Sequence, residues 1–204
     1  MKRVLLVLAA LAVAAFAANS VRLDQPLSIP NTDDQLSYDD GTANWLTWGG
    51  LYRGTWFNLA DFGGGSGSSW NAQNAELWFF HHSSYPWDTA SFYCEVYNGD
   101  ASAPVTQLNQ TSVTALHYAA CYANYSPELV CEANFWIIAN TELSSGGWPS
   151  ILGDPSPPAV CHSFFSDDFI VWEPWGELGD YFVRTTGTMA LSSSTWGSIK
   201  ALYN

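Results

Sequence analysis

Short apolar or alternating runs, each closed by Gly, Pro, Asn, Asp or Ser, set the rhythm of this chain. In "NAELWFFHH", Ala75, Leu77 and Phe79 share one face of an extended segment, and Trp78 and Phe80 share the other. "SFYCEVYNGD" alternates in the same way. Phe92, Cys94 and Val96 face one side, Tyr93, Glu95 and Tyr97 the other, and Asn98-Gly99 closes the run as a turn. "CEANFWIIANTEL" is apolar on both faces across Phe135 to Ile138, which predicts a central strand covered on both sides. "LYRGTWFNL", "CHSFFSDDFIVW" and "DYFVRTTGTM" add further strands. "ALHYAACYANY" has alanines that suit a helix, but its aromatics and flanking strands favour β. No segment within the domain carries the period of an amphipathic helix. These runs predict an all-β fold: an antiparallel, jelly-roll-like β-sandwich followed by a short C-terminal tail.

The ends divide the chain further. Lys2 and Arg3 precede the apolar run Val4 to Phe16, and small residues follow, the pattern of a secretory signal peptide over residues 1–18. Cleavage is expected after Ala15-Phe16-Ala17 or Phe16-Ala17-Ala18, and the apolar run is short for a membrane span of about 20 residues. Residues 19–35, with Pro26 and Pro30, read as an extended leader, 36–188 as the sandwich, and 189–204 as the tail. "GGGSGSS" at 63–69 reads as a loop within the domain. The expected location is extracellular or at the cell surface, with no membrane span after cleavage.

Charge narrows the partners. Without Lys2 and Arg3, only Arg22, Arg53, Arg184 and Lys200 stand against 19 acidic residues. Phosphate backbones and anionic membranes need clustered cations, so no nucleic-acid partner is expected. The cysteines Cys94, Cys121, Cys131 and Cys161 are even in number and lack a CxxC pair, so an exported chain predicts two disulfides rather than zinc. Three connectivities exist. Cys121 with Cys131 leads slightly, because "NYSPE" between them reads as a turn joining neighbouring strands.

Catalytic constellations are sparse, and the chain reads as a non-enzyme. Glu173 and Glu177 sit in a Pro/Gly loop, and adjacent Asp167 and Asp168 would point to opposite faces of a strand. "GGSGS" around Ser66 departs from G-x-S-x-G at Ser68. His81-His82 alone makes a weak metal site. No cofactor is expected. Calcium is the one cation with candidate ligands, Asp33, Asp34, Asp39 and Asp40, although "YDDGT" lacks the EF-hand spacing and reads more simply as an Asp-Gly turn.

Eleven tryptophans give the clearest binding signal, since flat rings stack on the C–H faces of sugars. Trp87, Trp148, Trp172 and Trp175, all in Gly/Pro-rich loops, are the candidate glycan-binding residues. The opposing reading has them plugging the ends of the sandwich. In the tail, Trp196, Ile199 and Tyr203 fall at i, i+3 and i+7 beside Lys200 and Leu202, a helical apolar face or a strand that could add to a sheet edge. These five are the candidate docking residues for an identical subunit or another protein.

"YDDGTA", "FYCEVYNGD", "FWIIANTELSSGGWPS" and "SFFSDDFIVWEPW" together resemble a secreted β-sandwich domain that recurs in extracellular proteins of poorly characterised, mostly uncultivated bacteria. The resemblance spans roughly Tyr38 to Thr185. It implies a sandwich fold and an extracellular location, and no particular activity. That family often adds surface modules or a C-terminal sorting segment, and neither a second module nor a long sorting domain is read here. The expected role is therefore a non-catalytic secreted or surface protein, structural or adhesive and self-assembling through its tail. The alternative is a carbohydrate-binding module using its loop tryptophans.

Overall fold

A computed structural model describes residues 20–32, 34–144, 147–156, 158–175 and 179–190. The signal segment, Asp33 and the tail residues Trp196, Ile199, Lys200, Leu202 and Tyr203 lie outside the described residues. The strands are β1 (Ser20–Ser28), β2 (Gln35–Leu36), β3 (Thr42–Thr47), β4 (Tyr52–Asn58), β5 (Ser69–Trp78), β6 (Ser91–Asp100), β7 (Ala103–Thr114), β8 (Ala120–Cys131), β9 (Asn134–Asn140), β10 (Ile151–Gly153), β11 (Ser163–Ser166), β12 (Glu173–Pro174) and β13 (Val183–Ala190). Among the described residues there is no α-helix, only a 3-10 turn at Leu59–Phe62.

The strands form a six-stranded sheet ordered β12-β11-β4-β9-β6-β7, a four-stranded sheet β2-β13-β5-β8 and a three-stranded sheet β1-β3-β10. All their pairings are antiparallel. The architecture is an antiparallel β-sandwich. Its sheets of six, four and three strands differ from the eight-strand, two-sheet plan of a jelly roll.

The main core lies between the two larger sheets. Ala75, Leu77 and Phe79 meet Phe92, Cys94, Val96, Phe135, Ile137 and Val183 there. The period-2 alternation of β5 and β6 places these side chains inward. β9 is buried along its whole apolar stretch because both its faces are covered. Phe135 and Ile137 enter the main core, while Trp136 and Ile138 pack with Tyr52, Trp56, Phe164 and Trp172 on the other side. The two-faced apolarity of this segment thus has its cause in a second layer, supplied by residues 161–172. A third cluster, around Leu23, Ala43, Leu46, Leu152 and Phe182, lies against the small sheet.

Two local readings of the sequence are corrected. Asn98-Gly99 does not turn; β6 runs on to Asp100, whose carboxylate accepts from the Ser102 N–H (2.8 Å). Gly99 is required for another reason, since a Cβ there would overlap the Ala103 carbonyl. Likewise "NYSPE" does not turn the chain back. It lies within β8 as a bulge opposite Ala72 to Asn74.

That second correction removes the leading disulfide. Cys121 and Cys131 stand at opposite ends of one strand, pairing with Leu77 and Trp70 respectively. At about 3.3 Å per residue their separation is several times the roughly 7 Å that a disulfide spans. No cystine forms: Cys94, Cys121 and Cys131 are buried thiols, and the Cys161 thiol donates to the Ser163 carbonyl (3.0 Å). Burial pushes the Cys94 and Cys131 thiols up to about 12 and the Cys121 thiol up to about 11. Apolar packing and hydrogen bonds, rather than cross-links, hold the sheets together.

The leader is part of the sandwich. β1 pairs with β3, and β2 pairs with β13. Between them Arg184, 1% exposed, holds the chain down. Its guanidinium donates to the carbonyls of Ile29 (2.7 Å) and Pro30 (3.1 Å), and to both carboxylate oxygens of Asp39 (2.6 and 3.0 Å). Burial pushes the Asp39 carboxyl up, against the pull of that guanidinium. Truncating one member of such a pair leaves a buried charge alone. Arg184→Met is therefore expected to destabilise the fold by about 3–5 kcal/mol. Thermal unfolding of the variant checks this, and at about 2–4 °C per kcal/mol the drop is large. An unchanged melting temperature would remove Arg184 from this role.

Candidate functional site

Three adjacent strands place a row of chemistry on the outer face of the four-stranded sheet. Glu76 in β5 pairs directly with Tyr122 in β8 on one side and Arg184 in β13 on the other. Their neighbours along each strand, Ala75 and Leu77, Cys121 and Ala123, Val183 and Thr185, are buried on the inner side. Alternation thus forces the row outward. Trp78, two residues past Glu76, lies on the same face.

The leader folds over part of this row and leaves a cleft of about 410 Å³ beside it. Trp78, Tyr118 and Tyr122 wall it, with Ile29 and Pro30 of the leader opposite, and Glu76, Arg184 and Gln35 form its floor. The floor side chains are bonded to one another. Glu76 accepts from the Trp78 indole N–H (2.6 Å) and the Gln35 amide (2.7 Å), and lies 3.7 Å from the Arg184 guanidinium. Tyr122 is 48% exposed, an unusual placement for a large ring. Partial burial and the neighbouring Glu76 charge raise its phenol, so it stays a neutral donor.

Tyr118 adds a backbone signal. Its φ of 49° lies in the left-handed region, which bulky residues rarely adopt. Bonds on both sides hold it there: its N–H donates to the Phe79 carbonyl (2.9 Å) and its hydroxyl to the Ser28 carbonyl (3.2 Å). The ring remains 38% exposed at the cleft wall. Strain of this kind concentrates at sites where geometry matters more than local stability.

A larger groove of about 640 Å³ lies at the other end of β5, formed by residues 66–69, 98–100 and 130–134 with Val105 and Thr106. It contains no aromatic ring among the described residues. Volume alone favours it; the chemistry favours the cleft.

The four candidate loop tryptophans do not line one groove. Trp175 is buried, tilted against Tyr181 at 4.7 Å, and Gly153 is glycine because a Cβ would enter its ring. Trp172 packs on Trp136 and Phe169 at the far face of the six-stranded sheet. Trp87 and Trp148 lie near one another. The Trp87 indole donates to Ser150 Oγ (2.8 Å), and Trp148, two residues before Ser150, stacks on Trp48 at 4.9 Å. The residues that wall the cleft come from the end of β5 (Trp78), from β8 (Tyr122), from the turn before β8 (Tyr118) and from the leader, and none of them is among the four loop tryptophans.

The calcium candidates also separate. Asp39 faces Arg184, Asp34 accepts from the Thr32 hydroxyl (2.7 Å), and Asp40 caps the Thr42 N–H (2.8 Å). No three His, Cys, Asp or Glu residues gather into a metal set among the described residues.

One cluster has the ingredients of acid–base chemistry. Tyr38 stacks on His162 at 3.5 Å and donates to Asp61 (2.8 Å), which also lies 3.3 Å from His162 Nε2. Nearby, Ser163 donates to Asp180 (2.8 Å), and Asp154 accepts from the N–H groups of Asp40 (2.9 Å) and Asp180 (2.8 Å). These bonds tie distant segments together, and neither cleft reaches them.

Burial raises Asp154 to about 6 and Asp180 to about 7, and lowers His162. A carboxyl raised in the folded state stabilises fully below its ordinary value of 3.8, and that contribution is lost as pH rises through the folded value. Neutral buried His162 works the other way, costing stability as pH falls below 6.5. The isosteric Asp180→Asn variant isolates one carboxyl. Its melting temperature relative to the native chain is expected to be most favourable at pH 8 and to lose that advantage by pH 5. A difference that stays constant over this range would show that Asp180 does not titrate there.

Comparison with protein-family models, with curated proteins and with solved structures finds no match for this chain.

Proposed function

We propose that this protein is a non-catalytic extracellular binding protein whose cleft takes a neutral carbohydrate. The observation that carries the reading is the Trp78–Tyr118–Tyr122 wall above the polar Glu76–Arg184–Gln35 floor. Sugars present apolar C–H faces to flat rings and hydroxyls to polar rims, and this cleft offers both within the usual volume of a ligand site.

Charge supports a neutral ligand. Arg53 and Arg184 are buried, so Arg22 is the only Lys or Arg on the surface among the described residues. The chain carries a formal charge of −13, which repels anionic glycans. A binding role rather than hydrolysis is favoured because a glycosidase uses two carboxyl groups about 5–10 Å apart. The cleft holds Glu76 alone among its described residues, already committed to Trp78 and Gln35. The basic-then-apolar start of the chain supports export.

The test is an array of neutral glycans followed by calorimetry on the hits. Trp78→Ala and Tyr122→Ala are each expected to weaken binding about tenfold or more, equivalent to about 1.4 kcal/mol. Tyr122 is the cleaner of the two, since its exposed ring contributes little to folding. Absence of any neutral glycan hit, or affinities indifferent to both substitutions, would refute the reading.

A further inference from the structure

The cleft does not end at its own walls. From Trp78 and Tyr118 a line of aromatic rings continues along the molecule, each ring in contact with the next. Tyr118 lies 6.4 Å from Phe80, Phe80 lies 6.3 Å from His82, and His82 lies 5.4 Å from Tyr85. Tyr85 then meets Trp48 at 4.6 Å, and Trp48 stacks on Trp148 at 4.9 Å. Every ring beyond the cleft is half-buried rather than enclosed. This separates the line from the core aromatics Phe57, Phe79, Phe92 and Phe135, all at 0% exposure. Phe80 and Trp48 rest on the Leu46–Leu152–Phe182 cluster, which fixes one side of each ring and leaves the rest outward.

Core packing accounts for the buried side of these rings. It does not account for their sequence of neighbours, drawn from β3's end, the segment after β5 and the residues before β10. We propose, building on the cleft reading, that the ligand is a linear neutral polysaccharide, bound at an internal stretch of its chain. One sugar sits in the Trp78–Tyr118–Tyr122 cleft and the chain runs on along the strip toward Trp148. The strip is a run of aromatic rings, and among the described residues Arg22 is the only exposed Lys or Arg. An extended, equatorially linked chain presents successive C–H faces to such a row. Trp48 is held between Tyr85 and Trp148, so the stacking contacts at the distal end fall to those two rings. Trp148, one of the tryptophans expected from the sequence to touch glycan, enters as a distal contact rather than as the anchor. The occupant is set by continuity: Trp78 and Tyr118 belong to both the cleft and the strip, so whatever stacks in the cleft meets the strip next.

The test compares short and long members of the same series, cellobiose with cellohexaose and xylobiose with xylohexaose, by calorimetry on the full chain. The expectation in at least one series is that the hexasaccharide binds ten times or more tighter than the disaccharide. Trp148→Ala and Tyr85→Ala should each remove most of that gain and leave disaccharide affinity unchanged, with melting curves confirming that both variants fold. Trp78→Ala should weaken short and long ligands alike. Equal affinity for disaccharide and hexasaccharide would overturn the strip while leaving the cleft intact. So would a length dependence that both distal variants preserve. If no member of either series binds, the strip as an extended-chain site is overturned. Whether the cleft reading falls with it is decided separately by the neutral-glycan array.

Discussion

A guanidinium removed from water must be surrounded by acceptors, because the uncompensated cost is several kcal/mol per ion. Arg184 meets this demand with two carbonyls of the leader, both oxygens of Asp39 and the nearby carboxylate of Glu76. Each of these partners belongs to a different part of the chain. Satisfying one side chain therefore positions the leader across the sheet, fixes the "YDDGT" loop beneath it and orients Glu76. The cleft follows from that arrangement: the leader forms one wall, and the floor is the ion pair itself. The fold and the shape of the cleft share one electrostatic requirement here.

Arg53 meets the same demand only in part and without a carboxylate, since its Nε has no partner among the described residues. It is fully buried and donates to the carbonyls of Gly147 and Pro149, and burial lowers its pKa to about 10. Those carbonyls flank Trp148, so the second buried cation organises the loop at the far end of the aromatic strip. The two arginines thus brace the two ends of the same aromatic surface from inside. Their burial also strips that surface of positive charge, which biases it toward uncharged partners.

Much of the architecture was readable from periodicity. The inward faces of β5 and β6 and the double burial of β9 follow from alternation, because packing rewards the pattern directly. Turns and cross-links were less legible. "NYSPE" has turn residues yet lies inside β8, and that single difference separates Cys121 from Cys131 along one strand. The cleft was hidden for a different reason. Alternation puts Trp78 and Phe80 on the face opposite Leu77 and Phe79, where they pack against the small-sheet cluster, but an aromatic on that face looks the same in sequence whether a neighbour covers it or not. Covering depends on the leader, and the leader's path depends on Arg184. An isolated arginine in "DYFVRTT" announces neither a buried ion pair nor its partners. The signal available was conjunction: Trp78 on the outer face of β5 and Phe80 just past its end, with Tyr122 placed alongside by the β5–β8 register and Tyr118 in the turn that leads into β8.

A purely structural reading has to explain why aromatic mass stays at the surface when the interior could take it. Large rings contribute most to stability when buried, and this fold buries many of them completely. Tyr122 and Tyr118 do not follow that rule. Tyr122 leaves nearly half its surface in water, and Tyr118 is held in a backbone conformation that costs about 1–3 kcal/mol in a bulky residue. Neither arrangement improves the core. Both are accounted for if the rings serve a surface that stays available, with the Ser28 carbonyl and the Glu76 carboxylate holding their polar ends in place. The floor beneath them has the same logic: Glu76 is tied to Trp78 and Gln35, and Arg184 to Asp39, Ile29 and Pro30, which fixes the shape of the cleft. Such a surface is suited to the repeating faces of a sugar chain rather than to a single charged metabolite.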